Sequence, residues 1–142
     1  MDAREALVRA PIFASLKPSL LDELARAAKP RQFAADELLV KEGDDATTFF
    51  VLCAGDAEVV KGAELEGGKV IGTLTTGDFF GEMALLDDFP RAATVRATSD
   101  CECLVLARWD FVGLVRTSPE VALAILPVLS KRLRACEDQL LP

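Results

Sequence analysis

Gly77-Asp78-Phe79-Phe80-Gly81-Glu82-Met83-Ala84-Leu85-Leu86-Asp87-Asp88-Phe89-Pro90-Arg91-Ala92-Ala93-Thr94-Val95-Arg96-Ala97 is the stretch on which the reading of this chain turns. It sits between segments with a period of two, where a plain sandwich of strands would need only a tight turn. Its middle, Glu82 to Leu86, suits one turn of helix, and Gly81 lets the backbone come close to whatever lies in front of that turn. The first N–H groups of such a turn lack internal partners and carry partial positive charge, which suits a phosphate. Arg91 follows behind Pro90, and its guanidinium can hold two phosphate oxygens at once. Glu82 is a strong acceptor for a sugar hydroxyl. A carboxylate for ribose and a guanidinium for phosphate on one small loop would recognise a nucleotide monophosphate.

Outward from this loop, the pattern from Arg31 to Ala107 alternates, with strands expected near 31–35, 38–41, 48–54, 57–61, 69–74, 78–80, 92–98 and 101–107. Gly43-Asp44-Asp45, Gly55-Asp56, Gly67-Gly68, Gly77-Asp78 and Ser99-Asp100 punctuate them, and Gly67-Gly68 between Val59-Val60 and Val70-Ile71 reads as a hairpin turn. Eight short strands at this spacing predict a mainly β fold, an antiparallel β-roll (jelly roll), flanked by helices. The first thirty residues read as helical. Ala3 to Ala10 forms one helix ended by Pro11, and a second is capped by Ser19 and stopped by Pro30. After Arg108 the helical period returns, with Trp109, Val112, Leu114 and Val115 toward the core. A last helix starts at Ser118-Pro119-Glu120, is interrupted and kinked by Pro127, and continues a stripe of Leu126, Leu129, Leu133 and Leu140. The organisation is therefore one domain over 1–142: helices over 1–30, the roll over 31–107 with the loop 81–95, and helices over 108–140.

Composition narrows the chemistry. The 142 residues suffice for a hydrophobic core without disulfides or metals. A formal net charge of −7 argues against a general affinity for nucleic-acid backbone, so an anion would have to be held locally. The chain has no His, which removes His-based acid–base and nucleophilic catalysis and the commonest metal ligand. Cys53, Cys101, Cys103 and Cys136 form no C-x-x-C pair. Cys101 and Cys103 alternate on one strand face and read as free buried thiols, so no metal site is expected. No apolar run approaches the ~20 residues of a membrane span. Met1-Asp2-Ala3-Arg4-Glu5 lacks the regions of a signal peptide, which makes the chain cytoplasmic, or the cytoplasmic part of something larger.

Phe80-Gly81-Glu82-Met83-Ala84-Leu85-Leu86, a short gap, then Pro90-Arg91-Ala92-Ala93-Thr94-Val95 resembles the phosphate-binding cassette of cyclic-nucleotide-binding domains. Such domains occur in protein kinase A regulatory subunits, catabolite activator proteins and cyclic-nucleotide-gated channels. Leu38-Leu39-Val40-Lys41-Glu42-Gly43-Asp44, Phe49-Phe50-Val51-Leu52 and Gly55 are similar to the family's early strands, so the likeness runs from about Pro11 to about Arg134.

The resemblance implies that Glu82 accepts from the ribose 2′-hydroxyl and that Arg91 pairs with the exocyclic phosphate oxygens. Backbone N–H groups of Met83, Ala84, Ala92 and Ala93 would assist, and Gly81 would admit the sugar. Val59, Ile71 and Gly72 would line the base pocket, with Val95 packed beneath. Relatives that prefer cyclic GMP carry a Thr where this chain has Ala92. Cyclic AMP is therefore the implied ligand, with cyclic GMP still admitted, since one absent hydrogen bond is worth only about 1 kcal/mol. Family members cap the base from the last helix, where Arg132, Leu133, Arg134 and Cys136 are all candidates, although Lys131, Arg132 and Arg134 also read as a solvated face.

The implied role is a regulatory, non-catalytic module without cofactor, which transmits binding through the C-terminal helices acting as a lid. It would work as a homodimer or joined to an output domain in a longer protein, with no nucleic acid or membrane bound through this chain. The alternative is a ligand-free β-roll serving as a dimerisation or docking unit, which the presence of both Glu82 and Arg91 disfavours.

Overall fold

The computed structural model describes residues 1–62 and 68–140. The roll is built from eight strands in two four-stranded antiparallel sheets. They are β1 (Lys29–Phe33), β2 (Leu38–Val40), β3 (Thr48–Ala54), β4 (Ala57–Lys61), β5 (Lys69–Leu74), β6 (Phe79–Phe80), β7 (Thr94–Ala97) and β8 (Cys101–Ala107). One sheet has the order β1-β8-β3-β6 and the other β2-β7-β4-β5. This is the mainly β roll with flanking helices expected from the alternation. Lys61 pairs with Lys69 across the β4–β5 hairpin, while Gly67 of the expected turn lies outside the described residues.

β3 explains why one stretch of the chain reads as a continuous apolar run. Phe49 and Val51 face the helices, and Phe50 and Leu52 face the inside of the roll, so a single strand supplies two cores. The inner core joins Phe50 and Leu52 to Phe33, Leu39, Val95, Ala97, Cys101 and Cys103. The outer core packs Phe49, Val51 and Leu106 against apolar side chains of the helices, with Phe13 edge-on to Phe49 at 5.6 Å and to Phe111 at 6.0 Å.

The helices differ from expectation at their ends. Helix α1 covers Ala3–Leu7, with Asp2 accepting from the Glu5 N–H at 2.8 Å as its cap. The helix stops at Leu7, short of Ala10, and Pro11 does not end it but opens a further turn, α2 (Pro11–Ala14), which buries Ile12 and Phe13 completely. In α3 (Pro18–Ala27) the proline takes the first helical position, Lys17 is the cap residue, and Ser19 lies inside the helix. Both corrections have one cause: proline has no N–H to leave unsatisfied and its fixed φ starts a helix readily.

α4 (Arg108–Thr117) meets α5 (Glu120–Leu140) at a bend of 116°. Trp109, expected in the core, is 67% exposed; Leu114 is buried as expected, and Phe111 is buried beside it. At 100° per residue Arg108, Phe111 and Leu114 share one side of the helix, and Trp109 falls on the side opposite the middle of that arc. α5 runs through Pro127 as one element, so the proline removes a backbone bond without ending the helix. Among the described residues no single helix is long and apolar enough to cross a membrane, and no group of three or more His, Cys, Asp or Glu side chains is arranged to hold a metal.

Candidate functional site

The segment between β6 and β7 crosses the open side of the roll and closes one wall of a cavity of about 450 Å³. Small-ligand sites commonly fall between ~300 and 1,000 Å³. Short β6 delivers the segment. Phe79 and Phe80 pair with Val51 and Phe50 of β3, and the Phe80 ring stacks on Phe50 at 4.8 Å with 6° between planes. The chain then enters the left-handed region at Gly81, with φ +80°, and starts a single 3₁₀ turn, Glu82–Leu85. A Cβ at Gly81 would come within 2.5 Å of Arg91 Nη1 and 3.0 Å of the Thr48 carbonyl oxygen, so both conformation and space demand glycine here.

The second arm of the segment is held by backbone bonds to the loop between β2 and β3. The Arg91 N–H donates to Asp44 O at 2.9 Å, and the Gly43 N–H donates to Arg91 O at 2.9 Å. Lys61 donates to the Ala92 carbonyl and pairs with Glu42 at 3.6 Å. The Glu42 N–H in turn reaches the hydroxyl of Thr94, which is 2% exposed, at 2.9 Å. These ties fix where the Arg91 side chain can go. Its Nη2 donates to Thr48 O at 2.6 Å and its guanidinium carbon lies 5.8 Å from the centre of the Phe50 ring. Among the described residues no carboxylate pairs with it. Burial alone pushes its pKa below the usual arginine value. A positive group removed from water with one neutral acceptor is electrostatically unsatisfied, and an anion in the cavity would satisfy it.

Glu82 lies at the start of the turn, with its side chain only 13% exposed. Its Oε1 accepts from Nη2 of Arg132, on α5, at 2.9 Å, and Arg132 Nη1 lies 4.0 Å from the Met83 sulfur. A carboxylate has further lone pairs, so Glu82 can still accept a hydroxyl. The site thus presents a cation and a carboxylate on one cavity wall, with the carboxylate tied to the last helix.

The expected site residues divide as follows. Gly81, Glu82, Met83, Ala84, Arg91, Ala92, Ala93, Val59 and Val95 all line the cavity, and Val95 also packs into the inner core beneath it. Ile71 and Gly72 do not line it. β5 is the outer strand of its sheet, and the register skips a residue there: Val59 faces Gly72 and Val60 faces Val70, which leaves Ile71 as the extra residue of a bulge, 57% exposed. Of the N–H groups expected to meet phosphate, that of Ala84 already donates to Gly81 O at 3.0 Å.

Sequence reasoning did not anticipate the Thr48 carbonyl and Phe50 ring against Arg91, nor that Arg132, read both as a cap candidate and as a solvated residue, reaches Glu82. No local signal encodes a contact between residues 50 apart in sequence. A larger open cleft of about 610 Å³ at the other end of the roll is lined by Glu37, Asp100 and Glu102 and by no cation, and would repel a phosphate.

A profile of the cyclic nucleotide-binding domain family matches residues 30–118. A cAMP-dependent protein kinase regulatory subunit of Emericella nidulans is 39% identical over 110 residues, which is 77% of this chain and 26% of the relative. Among solved structures, the N-terminal domain of a transcriptional regulator from Streptomyces coelicolor A3(2) superposes with a TM-score of 0.85 at 27% identity, covering 99% of this chain and 96% of that one. The regulatory domain of Toxoplasma gondii PKA, solved with cAMP, superposes with a TM-score of 0.71 at 31% identity, covering 79% of this chain and 42% of that one. The chain spans about a quarter of the length of the curated relatives it matches.

Proposed function

The chain belongs to the cyclic nucleotide-binding domain family, and on that premise we propose that it is a regulatory module that binds cyclic AMP in preference to cyclic GMP and passes occupancy on through its C-terminal helices. The observation that carries this reading is Arg91, a partly buried guanidinium on the cavity wall with no carboxylate partner among the described residues. A cyclic phosphodiester brings one negative charge and two exocyclic oxygens, which suits the two-pronged geometry of that group. The ribose hydroxyl would donate to Glu82, and the base would lie toward Val59 and the apolar part of the wall. Ala92 offers no hydroxyl to a guanine, which supports the preference for adenine.

Transmission follows from the Arg132–Glu82 contact. The ligand's hydroxyl and α5 would meet on the same carboxylate, so occupancy alters what holds the helix. A ligand biases an arrangement of helices only if it binds one arrangement better than the other, and the shared carboxylate supplies that difference. Leu126, Leu129, Leu133, Cys136 and Leu140 of α5 follow alternating steps of three and four, and Leu126, Leu133 and Leu140 are exposed. This spacing supports a homodimer through the last helix, or a helix continuing into an output domain of a longer cytoplasmic protein.

Calorimetric titration of the full chain with cyclic AMP and cyclic GMP tests the reading. Binding of cyclic AMP with weaker binding of cyclic GMP is expected. No heat from either nucleotide, on folded protein carrying no co-purified ligand, would replace it with the reading of a ligand-free docking unit.

A further inference from the structure

We propose that Lys61 is a positioning residue for an anionic ligand: from the end of β4 its ammonium group holds the Ala92 carbonyl, and so sets the Ala92–Ala93 peptide as an N–H donor beside Arg91. This rests on the ligand reading above, and it adds to Arg91 a second cation, one that acts from behind the cavity wall.

β4 and β7 pair as far as Val60 with Thr94. One more step of that ladder would set Lys61 opposite Ala93, but β7 begins at Thr94 and the pairing stops there. The chain before Thr94 has left the sheet to form the arm 90–93, so its peptide groups need partners from elsewhere. Those of Arg91 go to the loop between β2 and β3: the N–H donates to Asp44 O and the carbonyl accepts from the Gly43 N–H, each at 2.9 Å. The next carbonyl, that of Ala92, accepts from the Lys61 ammonium. Two separate elements thus hold two successive peptides of the arm.

A trans peptide sets its carbonyl and its N–H on opposite sides. Lys61 on the Ala92 carbonyl therefore leaves the Ala93 N–H pointing away from the ammonium. Ala92 and Ala93 line the cavity, while Lys61 stands outside it. A cation on the carbonyl draws charge through the amide and makes its N–H a stronger donor, as linked hydrogen bonds polarise one another. Lys61 is itself held in place. Glu42 Oε2 lies 3.6 Å from its Nζ, Glu42 Oε1 accepts from the Gly62 N–H at 2.9 Å, and the Glu42 N–H reaches Thr94 Oγ1 at 2.9 Å. The carboxylate cancels much of the lysine's field at a distance, so what reaches a ligand is the short-range effect on one peptide.

The experiment titrates the full chain as wild type, Lys61→Met, Lys61→Arg and Lys69→Met with cyclic AMP and with its two phosphorothioate diastereomers, each of which carries sulfur in place of one exocyclic oxygen. Lys61→Met keeps the length of the side chain and removes the donor, and should bind cyclic AMP at least fivefold more weakly. The Lys61 side chain is 54% exposed, which leaves room for Lys61→Arg to restore the donor and bind within twofold of wild type. Lys69 faces Lys61 across the hairpin, so Lys69→Met removes the same charge nearby and should also bind within twofold. The phosphorothioates complete a double-mutant cycle. Sulfur accepts less well than oxygen, so the diastereomer whose sulfur meets the Ala93 N–H has already lost most of that bond. Lys61→Met should weaken it by less than twofold, while the other diastereomer loses as much as cyclic AMP.

A structural role alone would weaken all three ligands equally, and an equal loss overturns the proposal. So does a Lys61→Met protein that binds cyclic AMP within fivefold of wild type, a Lys61→Arg protein as weak as Lys61→Met, or a matching loss in Lys69→Met, which would make the effect one of net charge. If Lys61→Met does not fold, Lys61→Gln decides by the same cycle. A wild type that binds none of the three ligands defeats the ligand reading and this role with it. A wild type that binds while the Lys61 variants lose nothing defeats the role of Lys61 alone.

Discussion

Replacing Arg91 by alanine separates affinity from stability in a way that the structure makes quantitative. In the free protein the guanidinium has one hydrogen bond, to Thr48 O at 2.6 Å, and a ring contact with Phe50 at 5.8 Å, and burial disfavours its charge. Losing the hydrogen bond costs about 1 kcal/mol, and losing the ring contact about 0.5–1 kcal/mol. Release of a partly buried, unneutralised cation from a dry environment offsets much of that. The free variant should therefore unfold within about 1 kcal/mol of wild type, a shift of roughly 5 °C or less for a domain of this size. Binding should suffer far more. Two charge-assisted bonds to phosphate oxygens are worth about 1.5–3 kcal/mol each, and the lower part of that range applies because the cavity is open on one side. The expected loss is about 3–4 kcal/mol, or two to three orders of magnitude in Kd for cyclic AMP. Calorimetry gives the affinity, and thermal unfolding with and without nucleotide gives the stability. An Arg91→Ala protein that binds within tenfold of wild type would refute the reasoning, because the guanidinium would then not be meeting the phosphate.

Gly81→Ala should lower stability by about 1–3 kcal/mol, from a left-handed backbone and a Cβ that meets Arg91 and Thr48 O. It should also weaken cyclic AMP at least tenfold by displacing the guanidinium, as read by urea unfolding and calorimetry. Leu133→Asp, at a position 62% exposed, should leave the melting temperature unchanged while converting a dimer to a monomer in sedimentation equilibrium; a wild type that is monomeric at all concentrations would remove the dimer from the proposed function. Burial, reinforced by neighbouring thiols of Cys101 and Cys53, pushes Cys103 up to about 12. The native protein then keeps a proton that the unfolded chain releases near 9, so stability falls as pH rises from about 9 toward 12, by about 1.4 kcal/mol per pH unit for this one group. Urea unfolding under reducing conditions at pH 8, 9 and 10 should show a shallower fall in Cys103→Val than in wild type; equal slopes would argue against a protonated buried thiol.

Much of the architecture was legible because it depends on local rules. Period two with Gly and Asp punctuation located all eight strands, and the two-faced burial of β3 is what makes Phe49 to Leu52 an unbroken apolar run. The cassette was legible through its resemblance to the family, and Gly81, Glu82 and Arg91, which lie close in sequence, all line one cavity. Helix ends were less legible, since Pro11 and Pro18 obey a rule for starting helices that competes with the rule by which proline stops them.

What the tertiary structure decided are the contacts that span the chain. Trp109 faces out because Arg108 finds carbonyls to face in for, and those carbonyls are 20 or more residues away. Arg132 meets Glu82 across 50 positions, and Ile71 leaves the cavity through a bulge whose register no single strand encodes. Local sequence determines which conformations a segment can adopt. Only packing of the whole chain determines which distant group is within bonding distance, because hydrogen bonds and ion pairs act over a few ångströms in space and not along the sequence.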